Sequence, residues 1–141
     1  MSSSKVLSSL LLEQLESARV GGERILAYCK VNVPKHEQVY SNTRLDSFYW
    51  LVEAGGEDYG DYKIARFDLY STGRNVEWDD SSAGLWRAPR WIKKEGWKIC
   101  HLGDFDIYSM TCSPPRFVRQ LNDSRQLRAV TITIKYNERS D

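Results

Sequence analysis

The sequence predicts an α+β domain, a small antiparallel sheet with helices packed on one face, plus an N-terminal helical arm. Three observations carry this. Residues 6–19 repeat apolar side chains at helical spacing, residues 129–137 alternate apolar and polar side chains at strand spacing, and the helical and stranded patterns lack the regular alternation of a Rossmann-type sheet. A chain of 141 residues, 41% hydrophobic and 12% aromatic, has the length and apolar content for one domain with a sizeable core. The expected division is an arm over 1–22 and a single globular domain over 23–141.

In the arm, Leu7, Leu11, Leu15 and Ala18 fall three or four apart, and Leu10 and Leu12 widen the stripe. Ser2, Ser3 and Ser4 offer N-caps, and Gly21-Gly22 stops the helix and reads as a hinge. An apolar stripe beyond a hinge fits its own domain or a neighbouring copy. That makes Leu7, Leu11, Leu15 and Ala18 the candidate self-association face. Ser8, Ser9 and Glu13 interrupt the run, which is too short and too polar for a membrane span or a signal peptide.

The remaining elements follow in order. Residues 24–33 alternate, with Ile25, Ala27, Cys29, Val31 and Val33 on one side, and read as a strand ended by Pro34. Residues 41–56 read as a helix, with Thr43 and Asp46 as a variant capping box, Leu45, Phe48, Tyr49 and Val52 as its apolar face, and Gly55-Gly56 as its stop. Residues 61–71 form a strand whose inward residues are Ala65, Phe67 and Leu69, and 72–85 form an acidic loop. Residues 97–111 read as two short strands bent at Gly103. Ser113 as a cap with proline at the first helical position predicts a short helix over 113–123. The last strand turns Val130, Ile132, Ile134 and Tyr136 to one side and Thr131, Thr133 and Lys135 to the other.

Charge is unevenly distributed. Residues 1–84 hold 9 Lys/Arg and 13 Asp/Glu, whereas 85–141 hold 11 and 6, so an interaction face is expected on the second half. Within it, "LWRAPRWIKKEGWK" at 85–98 interleaves Trp86, Trp91 and Trp97 with Arg87, Arg90, Lys93, Lys94 and Lys98. Pro89 argues against a continuous helix there, so the segment reads as a loop running into a strand. A second basic cluster, Arg116, Arg119, Arg125 and Arg128, follows the proline pair, with Arg116 and Arg119 on one face of the predicted short helix. Cations with exposed rings suit phosphates and stacked bases, or an anionic membrane with tryptophan at the headgroups. A plain edge with buried tryptophans and solvated lysines would carry the same residues.

Catalytic signatures are weak. Cys100 and His101 are neighbours in a predicted strand and would face opposite ways, and Cys112 has no sequence feature that brings it to His101. Cys100, His101 and Cys112 lack paired metal-ligand spacing. The acids Asp79-Asp80 and Glu57-Asp58 with Asp61 read as solvated loop carboxylates, and no Gly-rich phosphate loop occurs. Cys29, Cys100 and Cys112 make no even disulfide framework, which favours a reducing compartment. A binding or assembly protein without metal or cofactor is expected.

The order of segments resembles the globular core of rhabdovirus matrix proteins, of the vesiculovirus type or its compact plant-infecting relatives. The resemblance rests on "ILAYCKVNV" as an opening strand, "TRLDSFYWLVEAG" as a helix on the sheet, "DYKIARFDLYSTG" as the next strand and "AVTITIKYNE" as a late strand. It implies a structural protein of the host cytoplasm and virion interior that self-associates through residues 1–20. Such a protein bridges the viral nucleoprotein or ribonucleoprotein to the anionic inner leaflet through its basic patches. The alternative is a small viral RNA-binding accessory protein of the silencing-suppressor type, clamping RNA with the same basic residues and with Trp86 and Trp91 as stacking ends.

Overall fold

The computed structural model describes residues 3–26, 31–32, 48–74, 84–121 and 125–139. Its elements are α1 (Ser3–Ser17), β1 (Arg19–Val20), β2 (Glu23–Arg24), β3 (Val31–Asn32), β4 (Phe48–Asp58), β5 (Lys63–Arg74), α2 (Arg87–Glu95), β6 (His101–Leu102), β7 (Phe105–Cys112), β8 (Arg116–Gln120) and β9 (Arg125–Glu138). Strands make up 55% of the described residues, which overturns the expected α+β class with a small sheet. The sheet is large and mainly antiparallel, and among the described residues only two short α-helices accompany it.

The strand order is β3-β4-β5-β9-β7-β6, with β8 also pairing β9. Every pairing in this sheet is antiparallel except β3 with β4. The backbone of the fold is the long β5–β9 ladder, running from Lys63↔Tyr136 to Arg74↔Arg125. β7 and β8 lie end to end along the other edge of β9. Cys112 pairs with Ile132 and Arg116 with Ala129, so the Pro114-Pro115 break takes up one extra residue. Proline cannot donate to a ladder, which is why the strand divides there.

One face of the sheet carries the main core. Phe67, Leu69, Val130, Ile132 and Ile134 are fully buried there, together with Leu7, Leu11 and Leu15 of α1 and Ala88, Trp91 and Ile92 of α2. Tyr49 ties α1 to β4 by donating its hydroxyl hydrogen to Glu16 Oε2 at 2.5 Å. The opposite face holds a smaller aromatic cluster, Phe48 stacked on Trp50 and Trp50 on Tyr70, with centroids 5.5 and 5.1 Å apart.

Several expected elements are corrected. Residues 48–56, expected as the end of a helix, belong to β4. Phe48, Trp50 and Val52 meet the smaller cluster while Tyr49 and Leu51 meet the main core, so both faces of this strand are apolar and its alternation vanishes from the sequence. The capping box at Thr43 and Asp46 lies outside the described residues, as do half of the strand expected over 24–33, His36, Cys29 and Asp79-Asp80. Ile25 and Leu26, expected to face opposite ways, sit in a turn after β2 and are both buried. The short helix expected over 113–123 is replaced by β8, whose Phe117-Val118 pair favours extended backbone. The Gly21-Gly22 hinge is the turn of the β1–β2 hairpin, with φ of 61° and 86° that suit glycine there. α1, β5, β9 and the pair β6–β7 around Gly103 fall on the residues expected for them, but β5 runs on to Arg74, into the expected loop, and residues 97–98 of the expected strand form a 3-10 turn.

Candidate functional site

The candidate site is built on α2 and the 3-10 turn that follows it. Pro89 falls in the first turn of α2, where backbone N–H groups have no intrahelical partner, so a helix forms where a loop was expected. Helical spacing then sorts the segment. Ala88, Trp91 and Ile92 point into the core, and Arg90, Lys93 and Lys94 point to solvent. Gly96 is buried against Ile92, where even a methyl group would sit 3.2 Å from Ile92 Cγ2. The chain then passes into the 3-10 turn Gly96–Lys98, which carries Trp97 to the surface.

The result separates the three tryptophans. Trp91 is 4% exposed, Trp86 is half-buried, and Trp97 is 72% exposed. Trp97 donates its indole N–H to the Lys94 carbonyl at 3.0 Å, and Lys98 Nζ lies 5.6 Å from its ring centroid. Lys98 also pairs with Glu95 at 2.8 Å, and that hydrogen bond holds the Glu95 carboxyl below its ordinary range. Arg87 is turned back to Glu23 of β2 at 3.0 Å and belongs to the fold more than to the surface. What remains is an apolar ring, its polar atom satisfied internally, beside three exposed cations on one helix face.

The second basic cluster is only partly a surface. Arg125, expected as a binding residue, is buried. Arg128 is half-buried, donates to Gln126 Oε1 at 2.9 Å and sits 5.9 Å from the Phe117 ring centroid. Arg116 pairs with Asp68 at 3.2 Å and donates to Thr131 Oγ1 at 2.8 Å, while the Thr131 hydroxyl donates to Asp68 at 2.7 Å. Arg119 is exposed. Arg116 and Arg119 share a face, as expected, but for a strand reason: a bulge between Phe117 and Arg119 puts them opposite Ala129 and Leu127. β8 pairs with β9, and α2 packs beside β7.

The expected self-association face is turned inward. Leu7, Leu11 and Leu15 are 0% exposed and Ala18 is buried with them, so association through these side chains would require opening the core. The two described thiols lead back to their own backbone, Cys100 to the Lys98 carbonyl and Cys112 to the Ser113 carbonyl. Burial pushes the Cys112 thiol up to about 12. His101 Nδ1 lies 3.0 Å from Asp106 Oδ1 and 2.6 Å from Arg139 Nη2. Only one of these contacts is a hydrogen bond in either tautomer, since one nitrogen cannot both donate and accept. No group of three His, Cys, Asp or Glu among the described residues is placed to hold a metal.

Two features escaped the residues read in order. A cavity of about 300 Å³ on the smaller-cluster face is lined in part by Trp50, whose buried indole N–H has no partner among the described residues. At the other end of the sheet, Glu53, Glu57 and Asp58 border a cavity of about 390 Å³ with Gly56 and Ala65 in its lining. Glu57 and Asp58 were read as loop acids; they are strand residues, and only a register of β4 on β5 would have revealed it. No protein-family model matches the chain, and no curated protein matches it.

Proposed function

We propose that this chain is a non-enzymatic assembly protein of the matrix type that docks on anionic membrane through the outward face of α2 and Trp97. The observation that supports this reading is the exposed Trp97 ring. Its N–H is already satisfied by Lys94, so it offers apolar surface to the headgroup region, and Arg90, Lys93 and Lys94 stand ready for anionic lipid. Each such cation is worth on the order of 1 kcal/mol near an anionic leaflet. No helix among the described residues is long and apolar enough to cross a membrane, so the contact proposed is peripheral.

RNA binding is the second reading. It rests on the same ring, which would stack a base on the face away from Lys98. Trp91 has no part in that role because its side chain fills the core.

Vesicle flotation separates the readings. The protein is expected to float with vesicles containing phosphatidylserine, not with neutral vesicles, and to release on the order of tenfold more at high salt. Excess duplex RNA is expected to leave flotation unchanged. Flotation with neither vesicle, together with retention on RNA, would transfer the site to the second reading.

A further inference from the structure

We infer that the cavity on the smaller-cluster face, lined by β4, β5, β9 and the β8 segment, is a binding site for a small aromatic acid that carries a second hydrogen-bond acceptor away from its carboxylate. Among the described residues its walls are largely apolar, with Tyr70, Val118, Leu121 and Leu127 in the lining. Its volume of about 300 Å³ lies at the lower end of ligand cavities and has room for one substituted ring. Two features of the chain shape it. The bulge in β8 leaves Val118 without a partner on β9 and in the cavity lining. The end of the strand is tied back where the Leu121 N–H donates to the Arg125 carbonyl at 3.0 Å.

The polar groups of the lining define the ligand. Thr72 is committed, its hydroxyl accepting from the Phe48 N–H at 3.0 Å and donating to the Phe48 carbonyl at 3.4 Å. Trp50 is not. It is 3% exposed and stacked on Phe48 and Tyr70, and its indole N–H is shut off from water with no hydrogen-bond partner. Buried donors are nearly always matched, so an unmatched one on a residue of a cavity wall points to an acceptor brought by a ligand. Arg119 is the charged residue among those lining the cavity. It is exposed, and it is neither ion-paired nor hydrogen-bonded among the described residues. Both groups are donors, and they differ in depth, one buried and one exposed. A ligand that suits them has a carboxylate at the mouth, an apolar ring between the walls and a neutral acceptor, such as a carbonyl oxygen, at the inner end. Cationic ligands are opposed by Arg119.

The site lies on the face of the sheet opposite α2 and is independent of the lipid reading. It is tested on the full chain with para-acetylbenzoate, which carries both acceptors, by proton–nitrogen correlation NMR of the indole N–H signals of the five tryptophans. The Trp50 signal is assigned by its loss in Trp50→Phe, or by sequential assignment of the parent if that variant does not fold. It is expected to move downfield and saturate as probe is added, while the Trp91 and Trp97 signals stay in place. The similarly shaped para-isopropylbenzoate, without the carbonyl, should bind on the order of tenfold more weakly, and so should the neutral para-acetylbenzamide. Arg119→Gln, a change at an exposed position, should weaken the acid by the same factor and leave the amide unchanged, with circular dichroism to check that the variant is folded. A Trp50 signal that stays in place at millimolar probe, equal binding of para-acetylbenzoate and para-isopropylbenzoate, or equal loss of acid and amide in Arg119→Gln would each overturn the inference.

Discussion

The two helices lie against the same core yet do different work. α1 presents Leu7, Leu11 and Leu15 to the sheet, and its outward side has Ser9, Glu13 and Ser17. α2 buries Ala88, Trp91 and Ile92 and sets Arg90, Lys93 and Lys94 outward, with Trp97 at its end. Both are amphipathic, so amphipathicity alone identifies neither as an interface. The difference lies in the outer face: one is mixed and polar, the other is cationic beside an exposed aromatic ring. Burying a stripe accounts for a helix being present, and what stands opposite the stripe indicates its use.

The strongest way to break this comparison is to cut into the buried stripes. Leu11→Ala and Trp91→Ala are each expected to cost about 3–5 kcal/mol, by loss of apolar burial and the cavity left behind. Urea unfolding measures this, and a loss below about 1 kcal/mol would mean that the stripe is not packed as described. Next comes Gly56→Ala, expected to cost about 1–3 kcal/mol because the new methyl group forces β4 away from β5 at Ile64.

On the outer face the order reverses. Trp97→Ala, and Lys93→Glu with Lys94→Glu, should leave unfolding within about 0.5 kcal/mol while lowering anionic-vesicle binding on the order of tenfold or more. Vesicle sedimentation run beside urea unfolding checks both halves. Equal binding by parent and variants would remove α2 from the account.

The smallest effect concerns Cys112. Burial raises its pKa to about 12, so the folded state holds the thiol proton more tightly than the unfolded chain does. The stability this contributes is present below the ordinary thiol pKa and is lost as pH rises from there towards 12. The stability difference between the parent and Cys112→Ala should therefore shrink over that window, as urea unfolding at stepped pH would show. At pH 8 an alkylating reagent should label the exposed Cys100 well before Cys112.

Local patterns were legible where one side of an element faces water. β9 shows Val130, Ile132, Ile134 and Tyr136 in strict alternation because Thr131, Thr133 and Lys135 lie on the more polar side, and α1 shows its leucines for the helical equivalent of that reason. β4 hid itself because "FYWLV" is covered on both faces, and its aromatic and apolar residues also satisfied a helical spacing. The large sheet was missed for this reason, compounded by β8, where the proline pair mimicked a helix start. At the site, the basic residues of 87–98 were visible as a linear run. Which tryptophan is exposed was not, because that follows from the helical register through Pro89 and from the 3-10 turn after α2. The grouping of Glu53, Glu57 and Asp58 around one cavity was invisible, since it exists only once β4 is placed beside β5.

The most direct test of the α2 surface is quenching of tryptophan fluorescence by brominated acyl chains in phosphatidylserine-containing vesicles, for the parent and for Trp97→Phe. The account predicts quenching of the parent and little in Trp97→Phe under conditions where both are vesicle-bound, because Trp97 is the ring that enters the headgroup region. Equal quenching of the two proteins, or none in the vesicle-bound parent, would contradict it.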